Sequence, residues 1–362
     1  MTIYQYIRTY GKYTLKEKEF NEVDNVIFSC LSYLDFECQN KTLEEAAAIY
    51  FKKNPNKGIK YNIAALRNAI RVLENCIKEN RYKNIKIMNY KKVYTKKTQF
   101  QAVSFLLDTD LVYVSFSGTN HLISGWEEDF VMAYRFPVEA QRLAIYYLNK
   151  NYLFSNQKLI IGGHSKGGNL AIISAMYTMS FIRKKIIKIY SNDGLGITKE
   201  QLESTNYQKI KDRVVKIIPD YSVVGLILFS DSYKVIQSTN KSILSHNPNS
   251  WKVDKDHFVD KNLSNFSKIV GKSFEVWLDK YNKEEKKKFI ECLFDVFRKL
   301  EIESLNDFKQ KKRLVFNMIL ESRNVDDIVK QMLKDLVDTI GKCYLEYRKD
   351  QRTRKNENDI LL

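Results

Sequence analysis

Proline, paired cysteine, histidine and long apolar runs are all scarce in this sequence. The four prolines (Pro55, Pro137, Pro219, Pro248) leave the last 114 residues with none. Five cysteines (Cys30, Cys38, Cys76, Cys292, Cys343) lie far apart and form no C-x-x-C pair, so neither a disulfide framework nor a zinc site is indicated. A reducing compartment is the simplest expectation. The first twenty residues, MTIYQYIRTYGKYTLKEKEF, lack the apolar core of a signal peptide, and no stretch approaches the ~18 apolar residues of a membrane span. A soluble, cytoplasmic protein is expected. The four histidines are His121, His164, His246 and His257, which keeps any search for a catalytic base short.

Acidic residues are also in deficit, with 60 Lys+Arg against 43 Asp+Glu for a net charge of +17. Such a balance favours an anionic partner. Only 14 of the basic residues are Arg, however, and Arg is the residue that grips phosphates and base edges with fork geometry. Residues 262–362 carry a net +4 and residues 1–261 carry +13, mostly as scattered Lys. No recognised nucleic-acid motif accompanies this charge, so nucleic acid is not the expected partner. An anionic membrane surface, an acidic ester or a solvated lysine surface fits better.

What is present is a 362-residue chain that is 44% hydrophobic and 13% aromatic, enough for a sizeable core. Helical patterns at 22–35, 43–53 and 63–80 precede strand-like runs at 84–95, 99–107 and 111–116. The last two, separated by Asp108-Thr109-Asp110, predict an antiparallel hairpin. The rhythm then alternates: helix 138–150, strand 158–162, helix 168–183, strand 186–191, and strands near 213–218 and 233–238. Alternation of this kind predicts a largely parallel sheet. The proline-free tail reads as successive helices. Phe266, Ile269, Val270, Phe274 and Leu278 recur at helical spacing, as do Phe289, Leu293, Val296 and Leu300. Asn282 with Glu284 and Glu285 marks one helix start, and Ser304/Asp307 and Asn324/Asp327 are candidate capping pairs. The expected organisation is an α/β domain over 1–261 and a helical region over 262–362.

The strongest chemical signal is KLIIGGHSKGGNLAIISA at 158–175. An apolar strand runs into Gly163-His164-Ser165-Lys166-Gly167 and an apolar helix follows at once, the context a G-x-S-x-G nucleophile elbow requires. Ser165 must occupy a strained turn with its hydroxyl exposed, and side chains at 163 or 167 would collide with the neighbouring strand or helix. A serine nucleophile needs a base and an acid, in the order Ser, acid, His. His121 precedes the serine, and His164 is expected to point away from the base position. His246, in the loop-like SILSHNPNSW, is the first candidate and His257 the second. For the acid, Asp193 and Asp220 each end a strand-like run, and Asp231 is a third candidate. Oxyanion donors are expected from the backbone of Lys166 and from Thr119 in FSGTNHLISGW. The Lys166 side chain would then set a cation beside the nucleophile. No metal or cofactor is expected.

FSGT, GWEEDF and GGHSKGGNLA together resemble the F-R-G-T, W-x-x-D and GHSLGG segments of the class 3 lipases. Thr119 matches their oxyanion position, Ser165 their nucleophile, and Trp126 and Asp129 their structural pair. Ser117 stands where those lipases usually have Arg, and Lys166 where they have Leu. The sequence is more similar still to a family of bacterial lipase-like α/β-hydrolases, common in Firmicutes and mostly without assigned function. FNEVDNVIFSCLSYLDF, GGHSKGGNLA, YSNDGLG, IIPDYSVVG, HNPNSW and VWLDKYNKEEKKKFIECLF carry that likeness across about residues 20–310. Recurrence of YSNDG-type and H-x-P-x-S-W-type segments in that family supports Asp193 and His246 as triad partners.

The resemblance implies an α/β-hydrolase fold and a serine esterase, acting on a lipid or other carboxylic acyl ester through an acyl-enzyme. Acyl transfer to an acceptor other than water fits the same residues. The contrasting expectation is a catalytically inactive hydrolase fold whose helical tail and basic surface bind a partner protein, membrane or nucleic acid.

Overall fold

A computed structural model describes residues 1–55, 64–95, 97–119, 123–302 and 305–360. Its centre is one eight-stranded sheet in strictly sequential order: β1 (Lys41–Thr42), β2 (Lys86–Tyr94), β3 (Gln99–Asp108), β4 (Leu111–Phe116), β5 (Lys158–His164), β6 (Ile186–Asn192), β7 (Val214–Pro219) and β8 (Lys234–Ile236). β1 to β4 pair antiparallel, and β4 to β8 pair parallel. From β2 onward, connection length explains the change. Four residues join β2 to β3 and two join β3 to β4, which permits only hairpins; longer segments, mostly helical, separate the later strands. The hairpin closes with Asp108 opposite Leu111. The architecture is α/β with a mixed sheet.

Both faces of the central strands are covered, so they read as continuous apolar runs. On one face lie helices Glu22–Leu31, Leu43–Lys53 and Ala64–Cys76. On the other lie Glu139–Tyr152, Lys166–Tyr177 and Ser180–Lys185. β5 alternates between them: Ile160 packs with the first layer, Leu159 and Ile161 with the second. The first layer is tied down by Arg81, which is buried against Asp24 at 2.5 Å and also donates to the Lys18 and Glu19 carbonyls.

The expected helix 168–183 is in fact two. Thr178 adopts extended backbone (φ −65°, ψ 161°), and Asn149 accepts from both its hydroxyl and the Met179 N–H, so the chain turns there.

Helices Asn265–Lys280, Lys283–Lys299, Leu305–Glu321 and Asp327–Ile360 build a third apolar cluster around Trp277, Phe289, Phe294 and Met332. Asn282 and Glu285 form the capping box that opens the second of these helices. The fourth departs from expectation. Asp326, not Asn324, accepts the Ile328 N–H at 3.1 Å, because the helix begins only at Asp327. Ser304 lies outside the described residues. The cluster is seated on helix Ile123–Val131, with Phe130 and Phe294 ring centroids 5.7 Å apart and Arg298 paired to Glu127 at 3.0 Å. Among the described residues no helix is long and apolar enough to cross a membrane.

Candidate active site

The carboxyl ends of β5 and β6 carry two residues in backbone conformations that L side chains rarely adopt. Ser165, directly after β5, has φ 59° and ψ −129°; Asp193, directly after β6, has φ 44°. The Ser165 N–H donates to the Asn192 carbonyl at 3.0 Å, locking the two turns together. Close approach explains the flanking glycines. A Cβ on Gly163 would stand 2.4 Å from the Phe116 oxygen, and one on Gly167 only 2.0 Å from the same atom. The helix Lys166–Tyr177 begins at once, so its first N–H groups face the serine.

Asp193 is fully buried and accepts three hydrogen bonds: His246 Nδ1–H at 2.6 Å, Ser222 Oγ–H at 2.5 Å and the Gly225 N–H at 3.1 Å. Burial opposes its ionisation, yet these donors, led by His246, hold its carboxyl below the ordinary value. Asp220 is placed elsewhere. Its Oδ1 accepts the Ser238 N–H at 3.0 Å, and its carbonyl accepts from Ser264 and Ser267. Asp231 pairs with Lys211 at 3.2 Å, and His257, 49% exposed, pairs with its neighbour Asp256 at 3.1 Å.

His164 corrects an expectation. Instead of pointing away from the base position, its ring lies against His246, with centroids 4.4 Å apart. Its Nε2 is 2.8 Å from the His246 carbonyl, which can only accept, so Nε2 carries the proton and Nδ1 accepts from the Tyr33 hydroxyl at 2.9 Å. Burial, with His246 adjacent, pushes His164 down to about 3, keeping it neutral. The Tyr33 hydroxyl also lies against the Gly118 backbone. Trp251 donates to the Ser245 carbonyl at 2.9 Å, bracing the residue before His246.

Lys166 corrects a second expectation. Its side chain is fully buried and does not stand as a cation beside Ser165. It turns inward to a short ion pair with Glu128 Oε2, lies 3.6 Å from Asp129 Oδ1, and donates to the Gln99 carbonyl at 3.2 Å. Asp129, with its side chain 12% exposed, accepts the Thr119 hydroxyl at 2.8 Å. Burial raises the Asp129 carboxyl to about 6, with Lys166 acting against the rise and Glu128 adding to it.

The Thr119 hydroxyl is therefore engaged by Asp129. His121 lies outside the described residues.

Reading the residues alone missed four contributors: Tyr33, Glu128, Ser222 and Gly225. Each sits inside a segment already singled out, LSYLDF, GWEEDF or DYSVVG, but nothing in those segments says which side chain reaches the site. Among the described residues no group of three or more His, Cys, Asp or Glu side chains is placed to hold a metal ion.

No curated protein matches the chain. Among solved structures it is similar to the crystal structure of M37 lipase, at 16% identity and a TM-score of 0.35, covering 56% of this chain and 68% of that one. A family model described as Mbeg1-like matches residues 76–295, which include β2 to β8, both strained turns, His246, the first C-terminal helix and most of the second. The chain belongs to the Mbeg1-like family.

Proposed function

We propose that this protein is a serine hydrolase of the α/β-hydrolase type that cleaves a carboxylic ester, with Ser165, His246 and Asp193 as its triad. The observation that carries this reading is the 2.6 Å hydrogen bond between His246 Nδ1 and a buried Asp193 one strand away from a strained Ser165. With Nδ1 donating to Asp193, His246 Nε2 is left free of the proton and able to accept one from the serine hydroxyl.

Ser165 Oγ would attack the carbonyl carbon as His246 takes its proton, and the leaving alcohol would recover that proton from His246. Water would then add to the acyl-enzyme by the same route and release the acid. The backbone N–H groups of Lys166 and Thr119 would receive the developing oxyanion. Asp129 supports this assignment by tying down the Thr119 side chain, so the loop backbone is fixed before substrate arrives. His164 and Tyr33 act on the base from the opposite side, holding its backbone through the His246 carbonyl. We assign the catalytic machinery to a domain over 1–261, with 262–362 as a packing element seated on helix Ile123–Val131. A small-molecule or lipid acyl ester is the substrate class.

Labelling with a fluorophosphonate probe, followed by a panel of esters of increasing acyl length, tests the proposal. Wild-type protein should label and turn over ester, and Ser165→Ala should do neither. A folded wild-type protein that never labels would leave an inactive hydrolase fold as the better reading.

A further inference from the structure

Part of the excess positive charge lies in a long stretch with no opposing carboxylate. Between Glu139 and Asp193 the chain contains no Asp or Glu, while Lys150, Lys158, Arg183, Lys184, Lys185 and Lys188 all lie there. Folding gathers much of this stretch at the amino-terminal end of the parallel strands. Helix Glu139–Tyr152 descends to that end and the loop 153–157 follows. Helix Lys166–Tyr177 descends beside it into Ser180–Lys185.

Large apolar side chains are exposed in the same place. Phe154 is 93% exposed, and Tyr146, Met179 and Phe181 are each more than 40% exposed. Hydrogen bonds join the segments that carry them. Asn149, one turn beyond Tyr146, accepts the Met179 N–H at 3.1 Å. Lys185 donates to the carbonyls of Tyr152, at 3.1 Å, and Ser155, on either side of Phe154, while its ammonium group stands 5.5 Å from the Phe181 ring. The acidic groups at this end include Asp108 and Asp110 in the β3–β4 turn, where Asp108 pairs with Lys16 at 3.8 Å, Glu19 near Asp108, Asp212 beside Arg213, Asp231 paired with Lys211 at 3.2 Å and Glu22 paired with Lys234 at 2.8 Å; none of them falls within residues 140–192.

Exposed aromatic and thioether side chains ringed by lysine and arginine match the chemistry of a bilayer interface, where apolar groups enter the headgroup boundary and cations meet anionic lipid. We propose that this end of the molecule docks on an anionic lipid bilayer, with Phe154, Met179 and Phe181 inserted and Lys150 and Lys184 against the headgroups. Ser165 lies at the other end of β5, whose seven residues span about 20 Å at the usual rise per strand residue. The docking surface thus holds the protein at the membrane with the candidate catalytic end directed away from it. It uses none of the residues proposed for catalysis.

The test is sedimentation of the full-length chain with phosphatidylcholine vesicles and with mixed phosphatidylcholine–phosphatidylglycerol vesicles, at low salt and at about 0.5 M salt. Binding should be at least tenfold tighter to the mixed vesicles and should weaken with salt. F154S/F181S and K150E/K184E should each reduce that binding about tenfold or more. Thermal melting of each variant, alongside its probe labelling relative to wild type, separates lost docking from lost folding. Equal binding to both vesicle types, no binding to either, or undiminished binding by folded variants of both kinds would overturn the proposal.

Discussion

Two buried carboxylate sites flank the elbow, and they respond to burial in opposite ways. Behind β6, Asp193 has three donors to itself and its carboxyl is held down. Beside the loop after β4, Asp129 and Glu128 share the cation of Lys166, and the Asp129 carboxyl is raised to about 6. Glu128 takes most of what is available, since it also accepts from Thr98, Gln99 and Ala140. Desolvation is the first cause at both aspartates, so burial alone predicts the same direction for each. The number of donors per carboxylate decides the outcome.

The largest effect should come from Asp193→Asn. An amide there leaves His246 held in the wrong tautomer, and kcat/KM for ester turnover should fall by about 10⁴. A loss below tenfold would remove Asp193 from the proposed triad and leave it as a buried structural acceptor. Next in size is Lys166→Met, which strands two carboxylates without their cation. Stability in denaturant titration should drop by about 3–5 kcal/mol, the usual cost of breaking a buried pair by removing one partner. Adding Glu128→Gln should recover much of that loss. If Lys166→Met costs less than about 1 kcal/mol, the pairing does not have the role given to it here.

The smallest effect tests the sign of the comparison. Asp193 has a lowered folded value, so its contribution to stability is present above the ordinary carboxyl range, near pH 4, and is lost as pH falls through the folded value. Asp129 is the reverse. Its folded value lies above its unfolded one, so its ionisation costs stability progressively as pH rises from about 4 to about 6. Asp129→Asn mimics the protonated form and should therefore gain on wild type between pH 4.5 and pH 7, by at most about 3 kcal/mol for such a shift. Melts at the two pH values read this directly. A variant that instead loses ground on wild type at pH 7 would show that Lys166 dominates Asp129 after all.

Much of this was legible before any coordinates. The elbow, the hairpin at Asp108–Leu111 and the alternation after Pro137 all rest on local patterns, and local patterns survive folding. Strand ends and the order of the chain left Asp193 and Asp220 both open as the acid, and the resemblance carried by YSNDG and HNPNSW favoured Asp193 with His246. What escaped depended on where side chains at helix starts point once a neighbouring segment crosses them. Lys166 looked solvent-facing beside the serine, yet the acidic helix carrying Glu128 passes beneath it. His164 is a single residue from the nucleophile, but its partners are 131 and 82 residues away in sequence. No periodicity encodes such contacts.

Helix Ile123–Val131 has two working sides. One presents Glu128 and Asp129 to Lys166 and Thr119; the other presents Trp126 and Phe130 to the C-terminal cluster, with Arg298 gripping Glu127 at the margin. The tail is therefore coupled by a single rigid strut to the loop that bears Thr119. Under the proposed oxyanion role of Thr119, the seating of the last four helices would bear on how that loop is held. The first of those helices also packs on the short helix Val224–Leu226, whose Gly225 N–H donates to Asp193, so the tail bears on both flanks of the elbow.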